Sequence, residues 1–178
     1  MEVLRESDIT LKQHARLAVL FRATLDPRSF PGCVSWAGAR PEHRVVATVD
    51  GVIVGHTGIL AKEILVDGTA YRAGQTGLIS LDPRFADDGV AGLVQEATNA
   101  RLATMDIDFG YANVAQDAVG HHTWKGWTHL PGASTRVFFP ARPLRARQFA
   151  YPVVVLPVRA PVEPLLTAKL FDLNGFEL

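Results

Sequence analysis

The chain has 178 residues, enough for one domain that buries a core without help from metals or disulfides. Apolar residues make up 48% and charged residues 20%, with 18 Lys and Arg balancing 18 Asp and Glu. That balance argues against disorder and against a broadly basic nucleic-acid-binding surface. A single cysteine, Cys33, excludes an internal disulfide and fits a reducing compartment. With no apolar leader and no run long enough to span a bilayer, a soluble cytoplasmic protein is expected.

In chain order, Asp8 is placed to cap a helix running to about Leu25, in which Leu11, Ala15, Ala18, Val19 and Arg22 recur at helical spacing. DPRSFPGC breaks it. The β-rich runs Arg44 to Asp50 and Val52 to Leu60 meet at Asp50-Gly51, and Glu63 to Val66 meets Thr69 to Ala73 at Asp67-Gly68. Both dipeptides predict tight hairpins. A strand from Thr76 to Leu81 leads through DPRFADDG into a helix with Val90, Leu93, Val94, Ala97 and Ala100 on one face. There follow a strand from Ile107 to Val114, a helix from about Gln116 to Lys125, strands Arg136 to Phe139 and Tyr151 to Val158, and a short helix from Leu165 to Phe171. ARPLRARQF reads as a basic loop. The order predicts an α/β fold of the α+β kind: one domain over residues 1–178, with a mixed, largely antiparallel central sheet flanked by helices.

A glycine where a strand feeds a helix leaves backbone N–H groups that bind phosphate, and Ala86-Asp87-Asp88-Gly89-Val90-Ala91 is the candidate; a plain turn is the alternative. His56 lies among apolar and small residues, as a core histidine would. His43, His56, His121, His122, His129 and Cys33 show no ligand-spaced cluster, so no metal is expected. GxSxG is absent and Cys33 lacks a partner, which disfavours nucleophilic hydrolysis.

The element order, the loop DPRFADDGVA and Lys125-Gly126-Trp127 after a helix resemble the Gcn5-related N-acyltransferase (GNAT) superfamily. More narrowly, SWAGARPE is similar to the same string in the nodulation-factor N-acyltransferases of the NodA type. So are Gly55-His56-Thr57-Gly58, Val154-Val155-Leu156-Pro157 and the stretch from Asp172 to Leu178, in the same order across nearly the whole chain. A looser resemblance, to the aminoglycoside N-acetyltransferases of the 2′ type, rests on His56 and the late Gly-Trp.

The resemblance implies transfer of an acyl group from a thioester to a primary amine on a small polar, amino-sugar-like acceptor. The thioester, on acyl carrier protein or coenzyme A, is a co-substrate, and no cofactor is held permanently. Leu81, Ala86, Asp88, Gly89, Val90 and Ala91 fall on the donor side. A main-chain amide among Leu78, Ile79 and Ser80, with Ile79 the named candidate, would bind the thioester carbonyl. The acceptor side is implied for Trp36, Arg40 and Glu42 of SWAGARPEHR, and for Asp172 and Glu177; a structural cap on the following strand is the other reading of SWAGARPEHR. No nucleic-acid partner or membrane span is expected, and homodimerisation is left open.

Departures from the superfamily pattern sharpen these expectations. The donor loop ordinarily opens with Arg or Gln, whereas Ala86 stands here, followed by Asp87 and Asp88. Carboxylates beside a pyrophosphate are unfavourable. Either they cap the helix, or the donor is a carrier protein with a single phosphodiester, which Arg84, Arg101 and ARPLRARQ would meet unless they are solvated surface. Where many members carry a glutamate base stands Gly77, with Gln75 two residues earlier, and glutamine accepts no proton at neutral pH. His122 takes the place of the tyrosine that protonates the thiolate, or it serves the helix C-terminal dipole while His121 is solvated. His56 is the alternate base. Two further readings remain: an acetyl-coenzyme-A-dependent enzyme of the aminoglycoside N-acetyltransferase type, and a catalytically idle binding protein of this fold.

Overall fold

A computed structural model describes residues 1–25, 35–36, 39–86, 88–139 and 145–178. Cys33, Asp87 and the first part of ARPLRARQF lie outside the described residues. The chain forms two compact units, one of Met1–Leu60, Thr76–Arg101 and Leu178, the other of Ala61–Gln75 and Leu102–Glu177.

The first unit begins with strand β1 (Glu2–Arg5) and helix α1 (Leu11–Thr24). The cap is Thr10 rather than Asp8, which sits in a preceding 3-10 turn. Thr10 Oγ1 accepts from the Gln13 amide at 3.2 Å and Gln13 Oε1 accepts from the Thr10 amide at 2.9 Å, a reciprocal capping box. The buried face is Leu17, Ala18, Leu20 and Phe21, packed on Val46, Ile53 and Leu78, while Leu11 and Val19 are exposed. The buried face thus shares only Ala18 with the expected stripe, because apolar residues occur all round this helix and Arg22 interrupts that stripe.

Strand β2 (His43–Val49) pairs antiparallel with β1 and with the first part of β3 (Val52–Val66). The turn between them has Asp50 at φ 49° and Gly51 at φ 76°, two successive left-handed residues as a type I′ hairpin requires. Strand β4 (Thr69–Leu81) follows, then helix α2 (Val90–Ala103). Each long strand had been expected as two pieces, but both run without a break. Helix α2 buries Val90, Val94, Gln95 and Thr98 and exposes Leu93 and Ala100, so its inner face is rotated from the expected one. Local bonds make the polar positions tolerable inside: Thr98 Oγ1 donates to the Val94 carbonyl at 2.8 Å and Gln95 Nε2 to Asn99 Oδ1 at 3.1 Å.

In the second unit, the first part of β4 pairs in parallel with β5 (Phe109–Asn113), and the short helix α3 (Val119–Trp124) leads to β6 (Thr128–Leu130). Strand β7 (Ser134–Phe139) pairs antiparallel with β8 (Arg145–Phe149). Strand β9 (Val153–Pro157) pairs antiparallel with both β5 and β6. Strand β10 (Leu170–Asp172) lies antiparallel to the end of β3 and parallel to β7. Asp67 and Gly68, at φ 47° and 86°, make the second expected hairpin. The core gathers Ile64, Val66, Phe109, Tyr111, Val153, Val155 and Phe171, with Tyr111 stacked on Phe171 at 5.3 Å between ring centroids.

The fold is thus mixed α/β with largely antiparallel pairing, as expected. Several segments differ: strands β1 and β6 were not expected, the helix expected from Gln116 opens with a 3-10 turn, Gln116–Ala118, the helix expected at Leu165 to Phe171 is a 3-10 turn, Glu163–Leu165, followed by β10, and Arg145–Phe149 of the basic segment is a strand. Three-residue strands such as β6 and β10 are too short to show alternation.

Gly74 on β4 illustrates the packing limit, since a Cβ there would lie 2.5 Å from Leu102 Cδ2 and 2.7 Å from Ile107 Cδ1. Gly74→Val is expected to destabilise the chain by about 1–3 kcal/mol through overpacking, read as a lower urea midpoint with an unchanged slope.

Candidate functional site

In the first unit the site is organised around a bulge in β4. Leu78 is buried yet has φ 52°, a left-handed conformation unusual for a side chain of this size. Beyond it Ile79 is 40% exposed and Ser80 is buried, its Oγ without a hydrogen-bond partner among the described residues. Gly77 is required because a Cβ would come 2.7 Å from the Leu178 carbonyl oxygen.

His56, fully buried on β3, reaches this bulge: its Nδ1 lies 2.8 Å from the Leu78 carbonyl. Its Nε2 faces Arg44 Nη1 at 3.3 Å. A guanidinium can only donate, so Nε2 accepts and the ring hydrogen sits on Nδ1. Arg44 is itself fully buried on β2, where its Nη2 donates to Glu6 Oε1 at 3.2 Å and to Ser35 Oγ at 3.4 Å, and its Nε is ion-paired with the same carboxylate. The edge of Phe21 closes the ring environment at 4.9 Å. Burial, and then the Arg44 charge, push His56 down to about 3. It is neutral at physiological pH and holds the bulge carbonyl. The partnership of Glu6 and Arg44 escaped the sequence reading; the available signal was an arginine directly before the apolar run Val-Val-Ala of the same strand.

At the donor loop, Asp82 caps the turn Pro83–Phe85. Its carboxylate holds the Arg84 guanidinium, with Nη2 to Oδ2 at 2.6 Å and Nε to Oδ1 at 3.0 Å. Leu81 is half-buried, Ala86, Asp88 and Gly89 are exposed, Val90 is buried and Ala91 is half-buried. Gly89, at φ 72°, opens α2 with nothing within 4 Å of a Cβ placed on it, and it accepts from the Leu93 amide at 3.2 Å. The first-turn N–H groups of α2 have no intrahelical acceptor and lie behind this open backbone. Arg101 is elsewhere on the helix, with Nη2 2.8 Å from His43 Nε2.

Trp36 is half-buried against the core beneath α1, and one face of its ring carries the Arg40 guanidinium at 4.0 Å. Arg40 pairs with Glu6 at 3.4 Å, so it leans on the acid that neutralises Arg44. Glu42 is exposed, and its amide donates to the Ile59 carbonyl at 2.8 Å. The structure therefore brings Trp36 and Arg40 together.

In the second unit, His122 is buried on α3. Its Nδ1 donates to the Ala118 carbonyl at 3.0 Å, its ring stands edge-on to Trp127 at 5.6 Å, and its Nε2 has no hydrogen-bond partner among the described residues. Burial lowers its pKa and His121 adds to the effect, while the Ala118 bond opposes it. The result is a neutral imidazole with a lone pair at Nε2. Gln75 is buried opposite Tyr111 in the β4–β5 register, and its Oε1 likewise lacks a partner among the described residues.

Asp172 accepts from Arg136 Nε at 2.9 Å and from the Asn174 amide at 3.0 Å. Glu177 Oε1 accepts from Asn113 Nδ2 at 2.8 Å. Asn113 Oδ1 in turn accepts from Thr135 at 2.7 Å and from the Tyr111 hydroxyl at 3.1 Å, which fixes the orientation of its amide. Lys62 Nζ donates to the Phe176 carbonyl at 2.9 Å. Burial raises the Glu177 carboxyl and lowers the Lys62 ammonium, each partly offset by the other's charge. Lys62, Asn113 and Thr135 had no sequence signal beyond being polar residues in strands. Among the described residues, no three His, Cys, Asp or Glu side chains gather as metal ligands.

Comparison with known proteins places this arrangement in context. The model of the family described as Nodulation protein A (NodA) matches residues 1–178. Nodulation protein A of Sinorhizobium terangae is 31% identical over 189 residues, covering 97% of this chain and 94% of the relative, and that of Mesorhizobium plurifarium is 29% identical with the same coverage. Among solved structures, a GNAT family N-acetyltransferase (YhbS) from Escherichia coli in complex with CoA aligns with a TM-score of 0.62 at 13% identity, over 97% of this chain and 88% of that one. The ribosomal-protein-S18-alanine N-acetyltransferase from Escherichia coli aligns with a TM-score of 0.56 at 11% identity, over 91% and 96%.

Two outcomes follow from the buried network. Glu6→Ala leaves the Arg44 charge buried without its carboxylate and should cost about 3–5 kcal/mol in urea unfolding. Because the folded-state pKa of His56 is depressed from 6.5 to about 3, the unfolded chain binds more protons between those values. Stability is then full above about pH 6.5 and is lost as pH falls towards 3, and His56→Gln should flatten that slope in urea titrations at stepped pH.

Proposed function

Since the chain belongs to the Nodulation protein A family and is an N-acyltransferase of GNAT fold, we propose that it moves an acyl group from acyl carrier protein to a primary amine of an amino-sugar-like acceptor. The neutral amine attacks the thioester carbonyl, a C–N bond forms, the C–S bond breaks, and the thiol leaves after proton transfer. In this reading the oxyanion is met by a main-chain amide of the bulged segment Leu78-Ile79-Ser80, because left-handed Leu78 interrupts the regular strand there. Its rigidity derives from His56, which serves as a positioning residue rather than the base.

The observation that carries the choice of donor is the state of the loop before α2. Its arginine, Arg84, is held by Asp82, Ala86 stands where a basic side chain would meet a pyrophosphate, and Asp88 is exposed beside the helix start. Coenzyme A brings a pyrophosphate and a further phosphate, whereas a carrier-bound pantetheine brings one phosphodiester. The helix N-terminus at Gly89, Val90 and Ala91, with Leu81 beside it, suits the smaller charge. The co-substrate is thus an acyl thioester, with no cofactor retained between turnovers.

On the acceptor side we assign Trp36, Arg40, Glu42, Asp172 and Glu177 to the polar substrate. Arg40 stacked on Trp36 offers an exposed guanidinium edge for hydroxyls, and the acids suit an amine. The neutral Nε2 of His122 can accept a hydrogen bond and does not suit an acid that must be protonated first; Gln75 offers an amide oxygen for the same purpose.

Intact-mass analysis of glucosamine and glucosamine-containing oligosaccharides, incubated with acyl-coenzyme A or with acyl carrier protein, tests the reading. Acylation from the carrier at least tenfold faster than from coenzyme A is expected. Equal or faster transfer from coenzyme A overturns the donor assignment, and transfer only to amines without a sugar overturns the acceptor assignment.

A further inference from the structure

We propose that the groove between strand β1 and helix α2 binds a small amphipathic anion, a carboxylate on a medium-length alkyl chain, with Arg5 and Arg101 at its head and an apolar wall along its tail. The groove lies wholly within the first unit and is independent of the acyl-transfer reading given above. It has a volume of about 520 Å³ and is lined by Val3, Arg5, His43, Ala97, Ala100 and Arg101. That volume is within the range of small-molecule sites. Strand pairing explains which residues meet there. β1 pairs only with β2 and is an edge strand, in a register that sets Val3 opposite Val45 and Arg5 opposite His43. Side chains alternate across a strand, so Leu4 packs on the α1 side while Val3, Arg5 and His43 face α2. On the helix, Ala97, Ala100 and Arg101 recur at helical spacing, and the two alanines are too small to fill the space beneath them.

The cationic end is held in place by a neutral histidine. Arg101 Nη2 lies 2.8 Å from His43 Nε2, and since a guanidinium can only donate, Nε2 accepts and the ring hydrogen sits on Nδ1. Burial lowers the His43 pKa, the Arg101 charge lowers it further, Glu42 opposes this and Arg5 adds to it. His43 is thus a fixed acceptor that keeps one edge of the Arg101 guanidinium at the groove. Its Nδ1 is enclosed and has no hydrogen-bond partner among the described residues. An enclosed N–H without an acceptor costs free energy, so what this ring contributes is its hold on Arg101. Arg5, exposed and in register with His43, brings a second guanidinium to the same end. Among the described residues that line the groove there is no carboxylate to neutralise the pair, so the complementary ligand is an anion. Glu42, whose charge also reaches the His43 ring, offsets part of theirs, and a singly charged head therefore fits better than a dianion. Val3, Ala97 and Ala100 form the rest of the wall, which favours an aliphatic chain over a bare ion.

Calorimetric titration of the full chain with octanoate, octanol, acetate and octyl phosphate is the test. Octanoate is expected to bind with a Kd on the order of 1 mM or tighter, and each of the other three at least about tenfold more weakly. Arg5→Gln and Arg101→Gln should each weaken octanoate about tenfold, and Ala100→Leu, which fills the groove from the exposed side of α2, should abolish binding with thermal unfolding unchanged. His43→Gln keeps an acceptor for Arg101 and should hold the affinity within about threefold, whereas His43→Phe should match Arg101→Gln. No detectable octanoate binding overturns the proposal. Binding that is unchanged in Arg5→Gln, Arg101→Gln and Ala100→Leu alike lies elsewhere on the chain, the thioester cleft included, and overturns it too. Acetate or octanol bound as tightly as octanoate overturns the amphipathic ligand, and octyl phosphate bound as tightly overturns the carboxylate. None of these outcomes depends on acyl transfer.

Discussion

A buried arginine sets the terms for the first unit. Arg44 is charged, fully enclosed and placed at the start of an otherwise apolar stretch of strand, so its neutralisation by Glu6 is a condition of folding. Once Glu6 is fixed there, the first residues of the chain, the residue Ser35 and the ring of His56 are fixed with it, and His56 carries the constraint to the carbonyl of Leu78. The left-handed residue of the strand thus has its carbonyl held by a side chain that is itself held. Arg40 adds a second, exposed contact to the same acid and covers Trp36, so the wall expected for the acceptor and the scaffold beneath the bulge share one carboxylate.

The second unit solves a different problem. There a carboxylate, an ammonium, an amide and two hydroxyls meet at the margin of an aromatic core built on Phe109, Tyr111 and Phe171. The hydroxyls of Tyr111 and Thr135 are spent on orienting Asn113, and so the polarity of that margin is directional: it presents a donor to Glu177 Oε1. His122 is similarly committed at one nitrogen and uncommitted at the other.

How much of this could be read from the amino-acid sequence depends on whether a feature is local. The two hairpins were legible because Asp-Gly at a left-handed pair of positions is a purely local requirement. The strand-to-helix loop and its glycine were legible for the same reason. Helix faces were not: α2 turns Gln95 and Thr98 inwards and satisfies them within one turn, so hydrophobic periodicity pointed to Leu93 and Ala100 instead. In the site, His56, Gln75, His122 and Glu177 were named as residues, but their partners were not. Glu6 and Arg44 are 38 positions apart and Asn113 and Glu177 are 64 apart, separations at which no spacing rule operates. The protonation state of His56 follows first from its burial and then from the Arg44 charge, so its place as a core histidine was legible while the partner that disqualifies it as the alternate base was not.

The left-handed Leu78 has a further meaning for strand register. In a regular ribbon, slipping by one residue exchanges the two faces, and here such a shift would in addition move the His56 acceptor out of reach and, in one direction, put the positive-φ position on β-branched Ile79. The bulge therefore acts as a fixed point for β4, and length changes are displaced to the far end of the ribbon. At that end the Asp67-Gly68 turn has open space around the glycine. Insertions there can lengthen the hairpin without moving the bulge, so the two ends of a single strand can diverge at different rates.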